Sequence, residues 1–527
     1  MRSGLSRREV LRLAALLGVF PVAAQLAACG GSSSGSSLPE YEFEGEPGPE
    51  TLFSHGVASG DPLPDAVVLW TRLSPADAAA VDVFWEIARD QGFSDRVGAG
   101  WTTTDGERDF TVKLDAAGLT PGATYYYRFR ALGRTSLIGT TRTAPDGAVD
   151  RLRFGVVSCS NYPEGYFHAY RRLADRPDLD AILHLGDYLY EYGTTGPVRP
   201  TDPPHEMVSL EDYRRRYALY RSDPDLQAAH AAFPWVTVWD DHETANNSWR
   251  EGSDNHDPAT EGSFAERRAR AERVYSEWMP IRFEAGSPLY RRLHFGDLVD
   301  LIMLDTRLWG RDLQAAGFSD LETIHDPNRS LLGFDQEEWL ADQLRQATGV
   351  WKVLVQQVIL SPWKLQGLPL SQGGGIIANE DGWDGYEPTR TRLLDVVRAD
   401  GIRNLVVLTG DVHSSWAMDV TDDPNDPAVY DPDTGAGSLG VEFVAPGVTS
   451  SFPAVGFEEA ILPQNPHIKY GETVHQGYVV LELTPDSAKA SWYHFDDVSQ
   501  PETVERVAAT FVTRVGENHL VPDEEPA

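Results

Sequence analysis

Ala181-Ile182-Leu183-His184-Leu185-Gly186-Asp187-Tyr188-Leu189-Tyr190 reads as a short apolar strand that ends in a polar turn. A run this short and this apolar suits a buried strand, and the Gly-Asp pair after it is a turn signal. Two distant places repeat the pattern. Trp235-Val236-Thr237-Val238-Trp239 precedes Asp240-Asp241-His242-Glu243, and Asn404 to Thr409 (NLVVLT) precedes Gly410-Asp411-Val412-His413. A fourth strand-like run, Leu152 to Ser158, ends at Cys159. In an open α/β sheet, ligands bind beyond the carboxyl ends of the strands. Loops so placed can bring Asp, Tyr, His and Cys side chains to one point, the chemistry of a site with more than one metal ion.

Beyond Arg151 strands alternate with helical stretches, the rhythm of an α/β domain. Helices are expected near 165–175, around 209–230, from about 263 to 278, over Phe334–Ala347 and over Thr391–Ile402. Leu298–Thr306 and Trp351–Ser361 read as strands, and Gly477–Phe495 as a hairpin completing a second sheet. From Thr51 to about Thr143 the segments are short and alternating, with turns such as Thr120-Pro121-Gly122. That spacing predicts a small fibronectin-like or Ig-like β-sandwich over 51–145, joined by Thr143–Asp150 to a catalytic domain over 151–510.

The chain has 527 residues, ample for two or three domains. Its net charge of −35 repels nucleic acid and anionic membrane surfaces, so neither is expected as a partner. Bound cations would reverse that field locally. Ser6-Arg7-Arg8-Glu9-Val10-Leu11 reads as a twin-arginine export signal, and Leu26-Ala27-Ala28-Cys29 as a lipobox acylated on Cys29. Residues 1–29 are thus expected to be a signal peptide and 30–50 a flexible tether, with the membrane reached only through the lipid. The protein would then be periplasmic or at the cell surface after passing the twin-arginine machinery, and monomeric. With Cys29 lipidated, Cys159 has no intrachain disulfide partner and is a metal-ligand candidate at its strand end.

The order of these motifs resembles the alkaline phosphatase D (PhoD-type) branch of the calcineurin-like metallophosphoesterases, relatives of the purple acid phosphatases. The resemblance runs from about Phe53 to about Phe495 and includes His55–Pro75 (HGVASGDPLPDAVVLWTRLSP). It implies an α/β (α+β) four-layer sandwich that hydrolyses phosphomonoesters and phosphodiesters at alkaline pH. By resemblance, one Fe³⁺ is held by Cys159, Asp187, Tyr190 and His413, and a second ion by Asp187, Asp241 and Asp411. Asp241 and Asp411 stand where relatives carry asparagine and histidine, which favours Ca²⁺, with one or two calcium ions expected. His242 lies beside the phosphate as a proton donor or charge stabiliser. Further candidates at the metals or the substrate mouth are Asn161, Asp240, Gln356, Gln357, Arg307 and the Trp383–Tyr386 loop. His184, inside an apolar strand, is expected to be a satisfied core residue. Expected substrates are small phosphate esters, with phospholipid or teichoic acid diesters as the target of a dedicated phosphodiesterase, the rival enzyme. A non-catalytic surface-binding lipoprotein is the reading from another class.

Overall fold

The computed structural model describes residues 38–77, 80–194 and 196–523. The export signal and Cys29 lie outside the described residues. The fold below is that of the unit beginning at Glu40. No helix among the described residues is long and apolar enough to cross a membrane.

Two large sheets dominate. The first has ten strands, in the order 521–522, 505–514, 487–495, 477–483, 152–157, 181–184, 234–237, 57–60, 66–72 and 111–117. At its centre Leu152–Val157, Ala181–His184 and Pro234–Thr237 run parallel, so the Cys159, Asp187 and Asp240 loops leave from one edge. The second has seven strands, in the order 291–295, 299–303, 351–355, 405–409, 440–444, 415–420 and 468–472. Side chains alternate between the faces of each strand. Phe154 meets Phe295 of the other sheet edge-on, whereas the Cα of the next residue, Gly155, faces Leu173 of the helix His168–Ala174. In the second sheet Leu301, Val353 and Val406 join the large core shared with the first. Ile302, Leu354 and Val407 turn away to a separate cluster under the helices Phe334–Gln346 and Glu387–Ala399.

Three expectations change. The hairpin, observed as Gly477–Leu483 and Ser487–Phe495, joins the first sheet, pairing antiparallel with Leu152–Val157 (Leu483 opposite Leu152). It covers what would otherwise be the bare edge of the parallel run. The helical stretch 209–230 is two helices, Leu210–Arg221 and Pro224–Ala232. Pro224 has no amide to continue the first helix, and Asp223 caps the second through the amides of Asp225 and Leu226. Within 51–145, Val57–Gly60, Ala66–Arg72 and Thr111–Ala117 extend the ten-stranded sheet, Ser59 pairing in parallel with Pro234. The remaining strands form a separate five-stranded sheet, with Val57, Val67, Leu69, Val83, Tyr125 and Tyr127 in a shared core. Tyr41, expected in the tether, packs against Phe84 and Trp101 of that sheet.

Candidate active site

The carboxyl ends of both sheets meet where the loops leave. Ser158 bridges Gly447, the Cys159 amide donates to Gly186 O at 3.2 Å, and the Gly410 amide donates to Gln357 O at 2.8 Å. Gly186 (φ 106°) allows the closest approach, because a Cβ there would lie 2.5 Å from the Asp240 amide nitrogen. Cys159, Asp187, Asp411 and His413 all adopt left-handed backbone, with φ of 58°, 54°, 62° and 51°. L-residues seldom do so, at about 1–3 kcal/mol each, and such strain concentrates at functional sites.

Two groups of donor atoms result. In the first, the Cys159 thiol, an Asp187 oxygen and a His413 nitrogen lie within 4.8 Å of one another. Tyr190 joins them, its hydroxyl 2.9 Å from Asp187 Oδ2 and 3.0 Å from His413 Nε2. His413 Nδ1 is 3.3 Å from the Ser451 carbonyl, so with its proton there the Nε2 lone pair faces the cluster. Ser450 Oγ stands 2.8 Å from the Tyr190 hydroxyl and 2.9 Å from the Cys159 carbonyl. Burial, reinforced by Asp187, pushes the Cys159 thiol and the Tyr190 phenol well above their usual values. In the second group, oxygens of Asp240, Asp241 and Asp411 converge, and Asp187 also reaches Asp241 and His242. Burial, reinforced by Asp381 and Asp241, raises Asp411 to about 7, while Arg307 works against it. Burial also lifts Asp240, and its Oδ2 has no hydrogen-bond partner. An orphaned buried carboxylate oxygen, a thiol and a phenol held protonated, and a shared aspartate fit multivalent cations.

Arg307 was expected at the substrate mouth; it lies wholly buried beneath the second group. Its Nε donates to Asp240 (2.5 Å), Nη1 to Asp381 (2.6 Å), and Nη2 to Asp411 (2.7 Å), with Asp241 3.3 Å away. Arg311 also pairs with Asp381, yet two guanidiniums cannot neutralise these four carboxylates together with Asp187. Asp241 and Asp381 are held below the usual carboxylate range, Arg307 outweighing burial in each with help from His242 at Asp241 and from Arg311 at Asp381.

The Trp383–Tyr386 loop is buried too and does not line a mouth. Gln356 and Gln357 are corrected as well. Gln356 donates to Thr409 Oγ1 and accepts from Trp383 Nε1, while Gln357 accepts from Thr306 and donates to Leu304 O. Both amide groups are engaged within the fold, which leaves them structural. Asn161 is half-buried at the rim and donates to Glu164, whose other oxygen accepts the Ser451 amide. His184 is satisfied as expected, between the Tyr170 hydroxyl and the Gly186 amide.

Two carboxylates escaped sequence reasoning. Glu243 Oε2 accepts the amides of Asp187 (3.0 Å) and Asp240 (2.8 Å), and its Oε1 accepts that of Tyr188 (2.7 Å). It ties two ligand-bearing loops together. Glu191 Oε2 lies 2.6 Å from His242 Nδ1, and the His242 ring packs against Tyr190, centroids 4.1 Å apart and planes tilted by 31°. Burial opposes a charged His242, yet Asp241, Glu191 and Asp187 outweigh it and hold the imidazole well above its usual value. Their signal was adjacency, since Glu191 follows Tyr190 and Glu243 follows His242.

A family model described as "PhoD-like phosphatase" matches residues 154–492, and one described as "PhoD-like phosphatase, N-terminal domain" matches residues 41–145. The boundary between them divides the sequence but not the ten-stranded sheet, which both regions build. The chain is 38% identical over 486 residues to "Alkaline phosphatase D" of Bacillus subtilis (strain 168), covering 87% of this chain and 80% of that protein. The solved structure titled "Structure of PhoD" superposes with a TM-score of 0.82 at 37% identity, covering 93% of this chain and 94% of that one.

Proposed function

This chain belongs to the PhoD-like phosphatase family and is a phosphoric ester hydrolase, and from that premise we propose that it cleaves phosphomonoesters and phosphodiesters at alkaline pH, using iron and calcium. The observation that carries this reading is the convergence of Cys159, Asp187, Tyr190 and His413 beside a pocket of aspartates. The Tyr190 phenolate suits a hard trivalent iron, and all-carboxylate donors suit calcium. One Fe³⁺ would be held by Cys159, Asp187, Tyr190 and His413, and one Ca²⁺ by Asp187, Asp241 and Asp411, with Asp240 beside them.

When bound, such ions supply charge neutralisation for the phosphate and a water acidic enough to attack it. The protein's own groups do the rest. Asp187 lies with Cys159 and His413 on one side and with Asp241 and His242 on the other, and would be the shared carboxylate. Ser451 aims His413 Nε2, and Glu243 fixes the spacing of the Asp187 and Asp240 loops. His242 gives its Nδ1 proton to the hydrogen bond with Glu191 and keeps the Nε2 proton for the leaving oxygen. Tyr192, 40% exposed and edge-on to His242 at 5.3 Å, walls the approach of the substrate.

Metal-loaded protein should hydrolyse p-nitrophenyl phosphate and bis-p-nitrophenyl phosphate at alkaline pH, and failure on both would overturn the reading. The ratio of the two turnovers measures monoester against diester preference. We read the two sheets and their outer helices as the four-layer sandwich of metallophosphoesterases, and the N-terminal strands as an Ig-like sandwich sharing one of those sheets. The sequence of residues 1–29 supports export by the twin-arginine route and anchoring through Cys29. Cys29→Ser should release the protein from membranes if that is right.

A further inference from the structure

Away from the catalytic loops, the structure brings together Glu472, His475 and His494, one donor atom from each lying within 4.8 Å of the other two. Glu472 ends the strand Ile468–Glu472 of the seven-stranded sheet, and His494 lies in Ser487–Phe495 of the ten-stranded sheet. His475 sits in the connection between the sheets. Glu472 Oε1 is 2.7 Å from His475 Nδ1, and its Oε2 is 3.7 Å from His494 Nδ1. The two imidazoles are nearly parallel, 13° apart in plane, with centroids 5.7 Å apart.

The surroundings orient each donor. His494 Nε2 lies 2.9 Å from Ser415 Oγ, and with the ring proton given to that hydroxyl the Nδ1 lone pair turns toward the carboxylate. A lone pair facing a carboxylate oxygen 3.7 Å away is a place for a cation, and a hydrogen bond on the far ring nitrogen is the usual support of a metal-binding histidine. Backbone amides of Val474 and His475 hold Glu472 in place.

We propose that Glu472, His475 and His494 form a separate site for a borderline divalent transition ion of the zinc type, which pins the two large sheets to each other. Two imidazoles and one carboxylate, with a further position open to water, suit zinc rather than calcium. Entry of the ion moves the His475 proton from Nδ1 to Nε2 and opens the 2.7 Å contact with Glu472. Arg506, which donates to His475 Nε2, then keeps only its ion pair with Asp496. The site differs from the catalytic centre in every ligand, and its occupancy bears on stability rather than on the chemical step.

The test is zinc uptake by holoenzyme that already carries its catalytic metals. Elemental analysis after dialysis against micromolar Zn²⁺ should find one zinc equivalent more in the wild type than in His475→Ala, with iron and calcium unchanged. Glu472→Gln should weaken zinc binding at least tenfold. His475 is partly exposed, so its replacement leaves the core closed, whereas replacing the buried His494 risks the fold itself. Zn²⁺ should raise the Tm of the wild type and not that of His475→Ala. Equal zinc content and affinity in the wild type and His475→Ala would overturn the assignment.

Discussion

His242 Nδ1 and Glu191 Oε2 stand 2.6 Å apart, both side chains buried, and this contact commits Nδ1 to the protein. In the proposed reaction Nε2 would then meet the leaving oxygen. A buried carboxylate on the far nitrogen also favours the charged imidazole.

His242→Ala should therefore lower kcat by about 10²–10⁴-fold, the usual share of a positioned proton donor, while metal content stays constant. Glu191→Gln should lower it less, because the ring keeps a hydrogen-bond partner and loses a charge. Equal turnover in His242→Ala and wild type would remove His242 from the mechanism.

Colour tests the first metal group. Tyr190 and Cys159 are the two donors able to give charge-transfer absorption with ferric iron, so the holoenzyme should be tinted. Tyr190→Phe or Cys159→Ser should shift or abolish the visible band. A colourless protein carrying stoichiometric zinc in place of iron would refute the assignment.

Chelation separates the ions. Carboxylate oxygens release calcium more readily than a phenolate and thiolate set releases ferric iron. EGTA should abolish turnover and leave the band largely in place, and added Ca²⁺ should restore activity. Asp241→Ala should behave like the chelated enzyme without rescue by Ca²⁺. Restoration by Zn²⁺ alone would count against calcium.

Acid should weaken the fold through histidines buried neutral. Burial lowers His184, His467 and His55 each to about 3, from 6.5. Between about 3 and 6.5 the unfolded imidazoles bind protons that the folded ones refuse, so stability rises with pH across that window and is lost as pH falls through it. Each such histidine costs about 1.4 kcal/mol per pH unit within the window. Each of these three rings should therefore stay neutral in the folded protein at pH 5 and take up a proton on unfolding, read from its ring resonances. Rings already protonated in the folded protein at pH 5 would contradict this.

The strand-then-acid pattern was readable in the sequence because strand periodicity and turn chemistry are local. Cys159, Asp187, Tyr190, Asp241, Asp411 and His413 were named from it and from family resemblance, and they do meet in space. His184 was legible for the same reason, as a polar residue within an apolar strand. Pairings across the chain were not legible. Nothing near Arg307 in sequence announces that four aspartates close over it, and nothing near Gln356 or Gln357 reveals that neighbouring strands use up their amides. Likewise the alternation of the N-terminal segments predicted strands but could not choose their partners, because edge-to-edge hydrogen bonding depends on which edges the folded chain leaves bare. Local residue order therefore determined which chemical groups stand at which strand ends. Tertiary packing alone decided which of them face a shared site and which are spent holding the protein together, since burial and hydrogen-bond competition are properties of neighbours far apart in the chain.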